Sequence, residues 1–395
     1  MKILMLTPYL PFPLLTGGQT RSYNLIKRLS AIGHEITLFC LVKKSSERVY
    51  VSELEKYCKK VRVFNRPEKP WTVKNILKTG LSFYPFLVIR NWAKGEKKAI
   101  EEEIKEDKFD LIHAETFYVM PHIPKTTIPI LLVEQTIEYL VYRHFAKESR
   151  FLPLKPLFYF DVAKMKYWEL KYWQQAAKVV AMSVEDRKIM ISELPQLDVD
   201  IVPNGVDKEY FDTPVAKRAK DQVILYLGNF TWLQNREAVD VLVRRVWPII
   251  KKTLAGAKLW IIGKSAKSFF VHLSSVDIKV MEVKDVREVY QKASLLVAPI
   301  YGEGGTRYKN LESFASGLPV VTTSIGIRGI DARDGQQVIV RDNPDDIAKE
   351  TVELLNNKDL YKKVAANARA MVAAKYDWDP IAKKLSDIYE ELGKK

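Results

Sequence analysis

What most constrains the fold of this chain is one pattern met twice: a short apolar run, a loop, an amphipathic stretch, then another short apolar run. In the first half the apolar run 3–6 leads into a Pro/Gly loop, an amphipathic helix over 22–32 closed by Gly33, and a second run over 35–42. Further runs at 111–112, 128–133 and 179–183 continue the alternation. The second half restarts it with runs at 223–227, 258–262, 294–299 and 319–322 and helices over 236–252 and 310–316. Short buried runs separated by helical segments are the units of a parallel sheet, so each half is read as a doubly wound α/β domain.

Length agrees, because 395 residues exceed the roughly 250–300 at which a single core stops growing. The expected division is a first domain over 1–204, a polar linker over 205–221, a second domain over 222–378 and a closing helix over 379–395. The last three helices, 344–355, 359–375 and 380–392, are charged on one face and apolar on the other, and should pack on the second domain or bridge to the first. A helix over 157–177 carries Tyr159, Phe160, Tyr167, Trp168, Tyr172 and Trp173, read as a core-facing aromatic stripe in preference to a sugar-stacking surface.

Composition removes several classes. Apolar residues at 47% and charged residues at 28% are ordinary globular usage. Cys40 and Cys58 are the only cysteines, in neither a metal spacing nor a secreted framework, which points to a reducing compartment. Pro8, Pro11 and Pro13 follow the first apolar run at once and break any signal-peptide reading. The run 80–89 is half the length of a spanning helix, so a cytoplasmic protein is expected. A Gly-x-Gly-x-x-Gly fingerprint is missing after the first strand, which argues against a dinucleotide oxidoreductase.

The chemistry concentrates at strand ends. The loop Thr16-Gly17-Gly18-Gln19-Thr20 precedes a helix, where backbone N–H groups and the helix dipole suit an oxyanion, though the same glycines also make a plain tight turn. The segment Gly302-Glu303-Gly304-Gly305-Thr306-Arg307-Tyr308-Lys309-Asn310-Leu311-Glu312 brings glycines, two cations and two carboxylates to one helix start. Arg307 and Lys309 can neutralise a diphosphate there, and Glu312 in the first helical turn can accept from ribose hydroxyls. The alternative is a glycine turn with a solvated salt bridge. His113 follows an apolar strand at an end suited to a functional loop, with Glu115 its rival. Glu134-Gln135-Thr136-Ile137-Glu138 is either a polar contact to acceptor or sugar, or an acidic helix start. No Asp-x-Asp pair sits where a divalent cation would bridge a diphosphate, so metal-independent chemistry with no cofactor is expected.

The run from Gly304 to Val321 resembles the donor-binding motif of family-4 retaining glycosyltransferases. Val202-Pro203-Asn204-Gly205-Val206-Asp207, Phe109-Asp110-Leu111-Ile112-His113-Ala114-Glu115 and Tyr376-Asp377-Trp378 resemble further segments of that family. The resemblance spans nearly the whole chain and describes 43–100 least. It implies a GT-B fold, two Rossmann-like domains facing each other across a cleft. It also implies a nucleotide-sugar donor, UDP or GDP, a glycan or lipid-linked acceptor, and retention by same-face attack. Carried over, Glu312 binds ribose, the backbone of Tyr308 and Lys309 with Gly17 and Gly18 holds the diphosphate, and Gly205 lies near the cleft floor. The family's first carboxylate position is Gly304 here, with Glu303 one residue earlier as candidate substitute. Relatives carry Arg and Lys after the first strand of the second domain, where this chain reads Gly228-Asn229-Phe230-Thr231-Trp232-Leu233-Gln234-Asn235. The candidates are therefore His113, Glu303, Arg307 and Lys309 for catalysis, and Gly17, Gly18, Gly205, Asn229, Gly304, Gly305, Thr306, Tyr308 and Glu312 for the donor.

Charge adds a surface. The net charge is +15, and residues 41–100 hold 15 Lys/Arg against 5 Asp/Glu. Within 59–98 the cations interleave with Trp71, Phe83, Tyr84, Phe86 and Trp92, which suits peripheral contact with an anionic inner leaflet or a solvated basic face. Two rivals remain: a GT-B sugar-nucleotide epimerase or phosphorylase, and a basic nucleic-acid binder that lacks any recognised binding motif.

Overall fold

The computed structural model describes residues 1–149, 152–211, 222–283, 285–302, 304 and 306–394. They form two compact units, Met1–Asn204 with Trp378–Lys395, and Gly205–Asp377.

The first unit holds strands β1 (Lys2–Thr7), β2 (Glu35–Val42), β3 (Lys60–Asn65), β4 (Leu111–Glu115), β5 (Ile130–Glu134), β6 (Lys178–Ala181) and β7 (Val199–Ile201). They lie in the order β3-β2-β1-β4-β5-β6-β7, every pair parallel. The central strands are mostly apolar because helices cover both faces, with polar residues such as His113, Glu115 and Glu134 toward the carboxyl ends of β4 and β5. Its longer helices are α1 (Gly17–Ile32), α2 (Val73–Leu81), α3 (Glu96–Glu106), α4 (Glu138–Glu148), α5 (Lys155–Gln175) and α6 (Val184–Glu193). Thr16 caps α1 by accepting from the Gln19 N–H, and Gly33 ends it at φ 102°, a left-handed turn that glycine adopts without strain. The helix thus starts five residues earlier than its apolar periodicity suggests, because a side-chain cap rather than hydrophobic spacing sets its first turn.

The second unit holds β8 (Val223–Leu227), β9 (Lys258–Ile262), β10 (Ile278–Met281), β11 (Leu295–Ala298), β12 (Val320–Thr322) and β13 (Ile339–Val340), also parallel, in the order β10-β9-β8-β11-β12-β13. Its helices include α7 (Leu233–Val241), α8 (Tyr308–Ala315), α9 (Pro344–Asn356) and α10 (Lys358–Lys375). The helix read over 236–252 runs continuously from Leu233 to Thr253 but contains a π turn over Leu242–Val246, with Pro248 in the first turn after it. Two apolar clusters cover the sheet, one containing Tyr226, Phe230 and Trp247, the other Tyr290, Leu311 and Phe314.

Residues 205–211 are not a linker. Val206 is buried in the second unit's core, its N–H donating to the Tyr376 carbonyl, and Tyr210 packs near Tyr290. The part read as linker over 212–221 lies outside the described residues. The final helix α11 (Trp378–Gly393) belongs to the first unit, where Asp379 pairs with Arg28, Ser386 meets His34 and Glu391 meets Lys178.

The aromatic stripe of α5 is a core stripe only at its end. Tyr172 and Trp173 are buried, whereas Tyr159, Phe160 and Tyr167 are exposed. Among the described residues no helix is long and apolar enough to cross a membrane.

Candidate active site

Both sheets reverse strand order beside their first strand, between β1 and β4 and between β8 and β11. Parallel sheets place ligands outside the carboxyl ends of strands at such points. Each unit gathers polar residues there.

In the first unit His113 sits inside β4 and is fully buried, not in a loop beyond the strand. Its Nδ1 lies 2.5 Å from the Tyr389 hydroxyl and its Nε2 2.6 Å from Glu115 Oε2. Glu115 Oε1 accepts from Gln135 Nε2 at 2.7 Å and faces Arg21 Nε at 3.4 Å. Arg21 Nη1 donates to the Pro203 carbonyl at 2.8 Å and to Asn204 Oδ1 at 3.2 Å. Burial opposes the Glu115 charge, but the hydrogen bond and charge of His113, then Arg21 and Gln135, outweigh it and hold this carboxyl below the usual range.

Gly17 and Gly18 are the first two residues of α1, so their N–H groups are among those a helix leaves without internal partners. A Cβ at Gly18 would stand 2.7 Å from both Gln135 Oε1 and the Tyr9 hydroxyl, so only glycine fits without displacing them. The glycine turn and the His113–Glu115 pair are therefore bridged by one side chain, Gln135, which donates to both Tyr9 and Glu115. Glu134 points elsewhere, accepting from Trp173 Nε1 at 3.0 Å, and α4 begins at Glu138, so the 134–138 cluster is mostly helix start and core.

In the second unit α8 begins at Tyr308, two residues before its predicted start, which puts Glu312 in the second turn. Glu312 Oε2 accepts from the Tyr290 hydroxyl at 2.9 Å, and Tyr210 bonds the same carboxylate. Burial pushes its pKa up, and the two phenols only partly offset this. Lys309 is buried with its Nζ donating to Asn235 Oδ1 at 2.8 Å and the Tyr226 hydroxyl at 3.2 Å, 4.4 Å from the Tyr226 ring centre. Burial, then the neighbouring Arg307 charge, hold this amine well below the usual lysine range, with Glu312 opposing.

Lys309 thus reaches from α8 across to the first turn of α7, where Asn235 also donates to the Asn229 carbonyl in the loop after β8. A Cβ at Gly228 would stand 3.2 Å from Lys309 Nζ. The lysine from α8 therefore meets Asn235 of α7 rather than a charged partner. Asn229 turns its own side chain onto Thr231, so its amide is engaged locally.

Arg307 caps α8 and donates from Nη2 to the Gly302 carbonyl at 2.7 Å. Its Nη1 lies 2.5 Å from where a Cβ at Gly304 would stand. The guanidinium therefore lies directly over Gly304 and occupies the space that any side chain at this position would enter. The Thr306 hydroxyl is buried with no partner among the described residues, facing Gly329. Glu303 and Gly305 lie outside the described residues. Gly205 opens the second unit next to Val206.

Lys309, Arg307, Thr306, Tyr308 and Glu312 are thus brought together on α8 and its approach. His113, Gly17 and Gly18 form a separate group in the first unit. Tyr210, Tyr226, Asn235 and Tyr290 were not singled out from sequence. Tyrosines in apolar segments read as core, and nothing local announces that their hydroxyls end on Glu312 and Lys309. Among the described residues no group of three or more His, Cys, Asp or Glu is placed to hold a metal ion.

Comparison with known proteins agrees with this geometry. Residues 15–210 match the family model Glycosyltransferase Family 4 and residues 221–357 the model Glycosyl transferases group 1. A 44.6 kDa protein from the cps region of Klebsiella pneumoniae is 22% identical, covering 99% of both chains. A glycosyltransferase of Methanocaldococcus jannaschii is 24% identical, again over 99% of both. The structure of Anabaena HepE in complex with UDP-glucose matches 99% of this chain and 100% of that one at 14% identity, with a TM-score of 0.69. Two parallel Rossmann-like sheets with this pairing of motifs make a GT-B fold, and the chain belongs to glycosyltransferase family 4.

Proposed function

We propose that this glycosyltransferase moves a hexose, with retention and without a divalent cation, from a UDP- or GDP-sugar to a glycan or lipid-linked acceptor of a cell-envelope or exported polysaccharide. The observation that carries this reading is the pairing on α8 of a buried lysine with a phenol-held carboxylate one helical turn away. A diphosphate needs cations and N–H donors, and a ribose needs an acceptor for its two hydroxyls. Lys309 and Arg307 supply the first and Glu312 the second.

Cleavage of the bond between sugar and diphosphate leaves charge on the departing phosphate. The N–H groups at the start of α8, the Thr306 hydroxyl and the two cations stabilise that charge as it forms. The acceptor hydroxyl then attacks from the face the phosphate leaves, passing its proton to a phosphate oxygen, and the anomeric configuration is kept. With Gly304 in the first carboxylate position, the chain relies on Arg307 and Glu303 for contact with the transferred sugar. HepE was solved with UDP-glucose and the Klebsiella relative is encoded in a cps region, which favours a uridine donor and an envelope acceptor here.

Calorimetry with UDP, GDP and ADP, with and without EDTA, on the wild type and Glu312→Ala is the direct test. One nucleotide should bind equally well in EDTA and lose on the order of a hundredfold in affinity in the variant. Failure of all three to bind, or binding indifferent to Glu312→Ala, overturns the assignment.

A further inference from the structure

Helix α2 is built inside out. Of its nine residues only Asn75 is buried, donating to the Pro70 carbonyl at 2.9 Å, while Val73, Ile76, Leu77 and Leu81 face solvent, Leu81 at 90% exposure. Phe83 follows at 89% exposure. A soluble surface helix does the opposite, turning its apolar stripe to the core.

This face continues onto another element. Lys164 of α5 donates to the carbonyls of Thr79, Ser82 and Tyr84 at 2.7, 3.3 and 3.1 Å, and Trp168 Nε1 donates to the Phe83 carbonyl at 2.8 Å. Tyr84 stacks on Trp168 with ring centres 4.5 Å apart. The α2 end is therefore fixed on α5, whose outward Leu157 and Phe160 are 63% and 62% exposed. Phe160 sits beside the same lysine, 5.4 Å from its Nζ to the ring centre. Contiguous exposed apolar surface of this kind marks an interaction site.

Charge selects the occupant. Lys69, Lys74 and Lys78 are exposed and make no ion pair among the described residues. Lys74 and Lys78 line an open apolar groove with Leu77, Leu81 and Ile89. The two acids closest in sequence to this face are each matched to a lysine, Glu68 to Lys44 and Asp161 to Lys164. Apolar side chains that enter an acyl layer, beside unpaired lysines at headgroup level, are the chemistry of an interfacial helix on acidic lipid.

We infer that α2, the turn carrying Phe83 and the first half of α5 form one surface that lies on an anionic lipid bilayer. The surface extends beyond the basic segment 59–98, because α5 supplies part of its apolar face. It lies outside the donor residues and does not depend on their assignment.

Flotation of the full chain with phosphatidylcholine vesicles, with and without phosphatidylglycerol, tests it. Two variants are compared: Leu81→Ser/Phe83→Ser/Phe160→Ser, and Lys69→Gln/Lys74→Gln/Lys78→Gln. All six positions are surface-exposed, and an unchanged melting temperature verifies folding. The wild type should float with acidic vesicles, the lysine variant should bind them at least about tenfold more weakly, and the apolar variant should not float with either. Absence of flotation, or variants that bind like the wild type, overturns the inference. So does a concentration-dependent dimer in sedimentation velocity that Phe83→Ser abolishes, which would assign the face to a second copy. Vesicle binding is read without nucleotide, so its failure is distinct from failure of the donor assignment.

Discussion

The two units share a parallel topology and each collects polar side chains at its strand-order reversal, yet they treat those side chains differently. In the first unit His113, Glu115, Gln135, Tyr9 and Tyr389 bond one another in a largely buried network whose carboxylate faces Arg21, although Arg21 Nε and Nη2 have no hydrogen-bond partner among the described residues. In the second, no acid among the described residues bonds the buried Lys309 amine, Glu312 is held by phenols, and the Thr306 hydroxyl has no partner among the described residues. A network whose charges are matched is already at rest, whereas one with an unmatched buried cation gains when an anion arrives.

Arg21→Met attacks the first unit's side of this comparison. It removes the guanidinium from buried Glu115, leaving His113 and Gln135 as its partners, and should cost about 2–3 kcal/mol in urea unfolding. A loss under 1 kcal/mol would mean that the carboxylate is not held as a charge. Lys309→Met is the counterpart in the second unit. Stability should change little, since no buried acid is orphaned, while affinity for the preferred nucleoside diphosphate falls roughly 10–100-fold in calorimetry. Reversal of these two outcomes would break the comparison.

pH sharpens it. A bound diphosphate favours the Lys309 ammonium, whose free-state pKa is depressed, so binding takes up a proton above that value and affinity declines as pH rises, at most about tenfold per unit. Ribose hydroxyls favour the Glu312 carboxylate, whose pKa is raised, so affinity also declines as pH falls through that value. Lys309→Arg should remove the alkaline limb and Glu312→Gln the acid limb, each read from nucleotide affinity against pH. A flat wild-type profile would sink both assignments. The smallest effect is expected from Tyr290→Phe, which removes one phenol from Glu312: about 1 kcal/mol, or roughly fivefold, in nucleotide affinity, with the acid limb moved to higher pH.

Much of the fold was legible because buried parallel strands are apolar runs whatever surrounds them. The edge strands β3, β7, β10 and β13 were missed: β3 alternates valines with Lys60 and Arg62, and β7 and β13 have only three and two residues. Glu312, Lys309 and Arg307 were legible as residue types at a helix start. The direction each side chain takes was not: Arg307 folds over Gly304, and Lys309 meets Asn235, 74 residues away.

By itself the sequence determined two α/β units and the family, and it singled out the α8 motif on which the proposed donor site rests, since periodicity and local spacing are carried by consecutive residues. Only the tertiary structure decided that His113 is interior, that residues 205–211 belong to the second unit, that two tyrosines hold Glu312, and that α2 turns its apolar side outward. Burial and hydrogen-bond partnership are properties of distant segments brought together, and a one-dimensional pattern fixes which face of an element is apolar without fixing which face is covered.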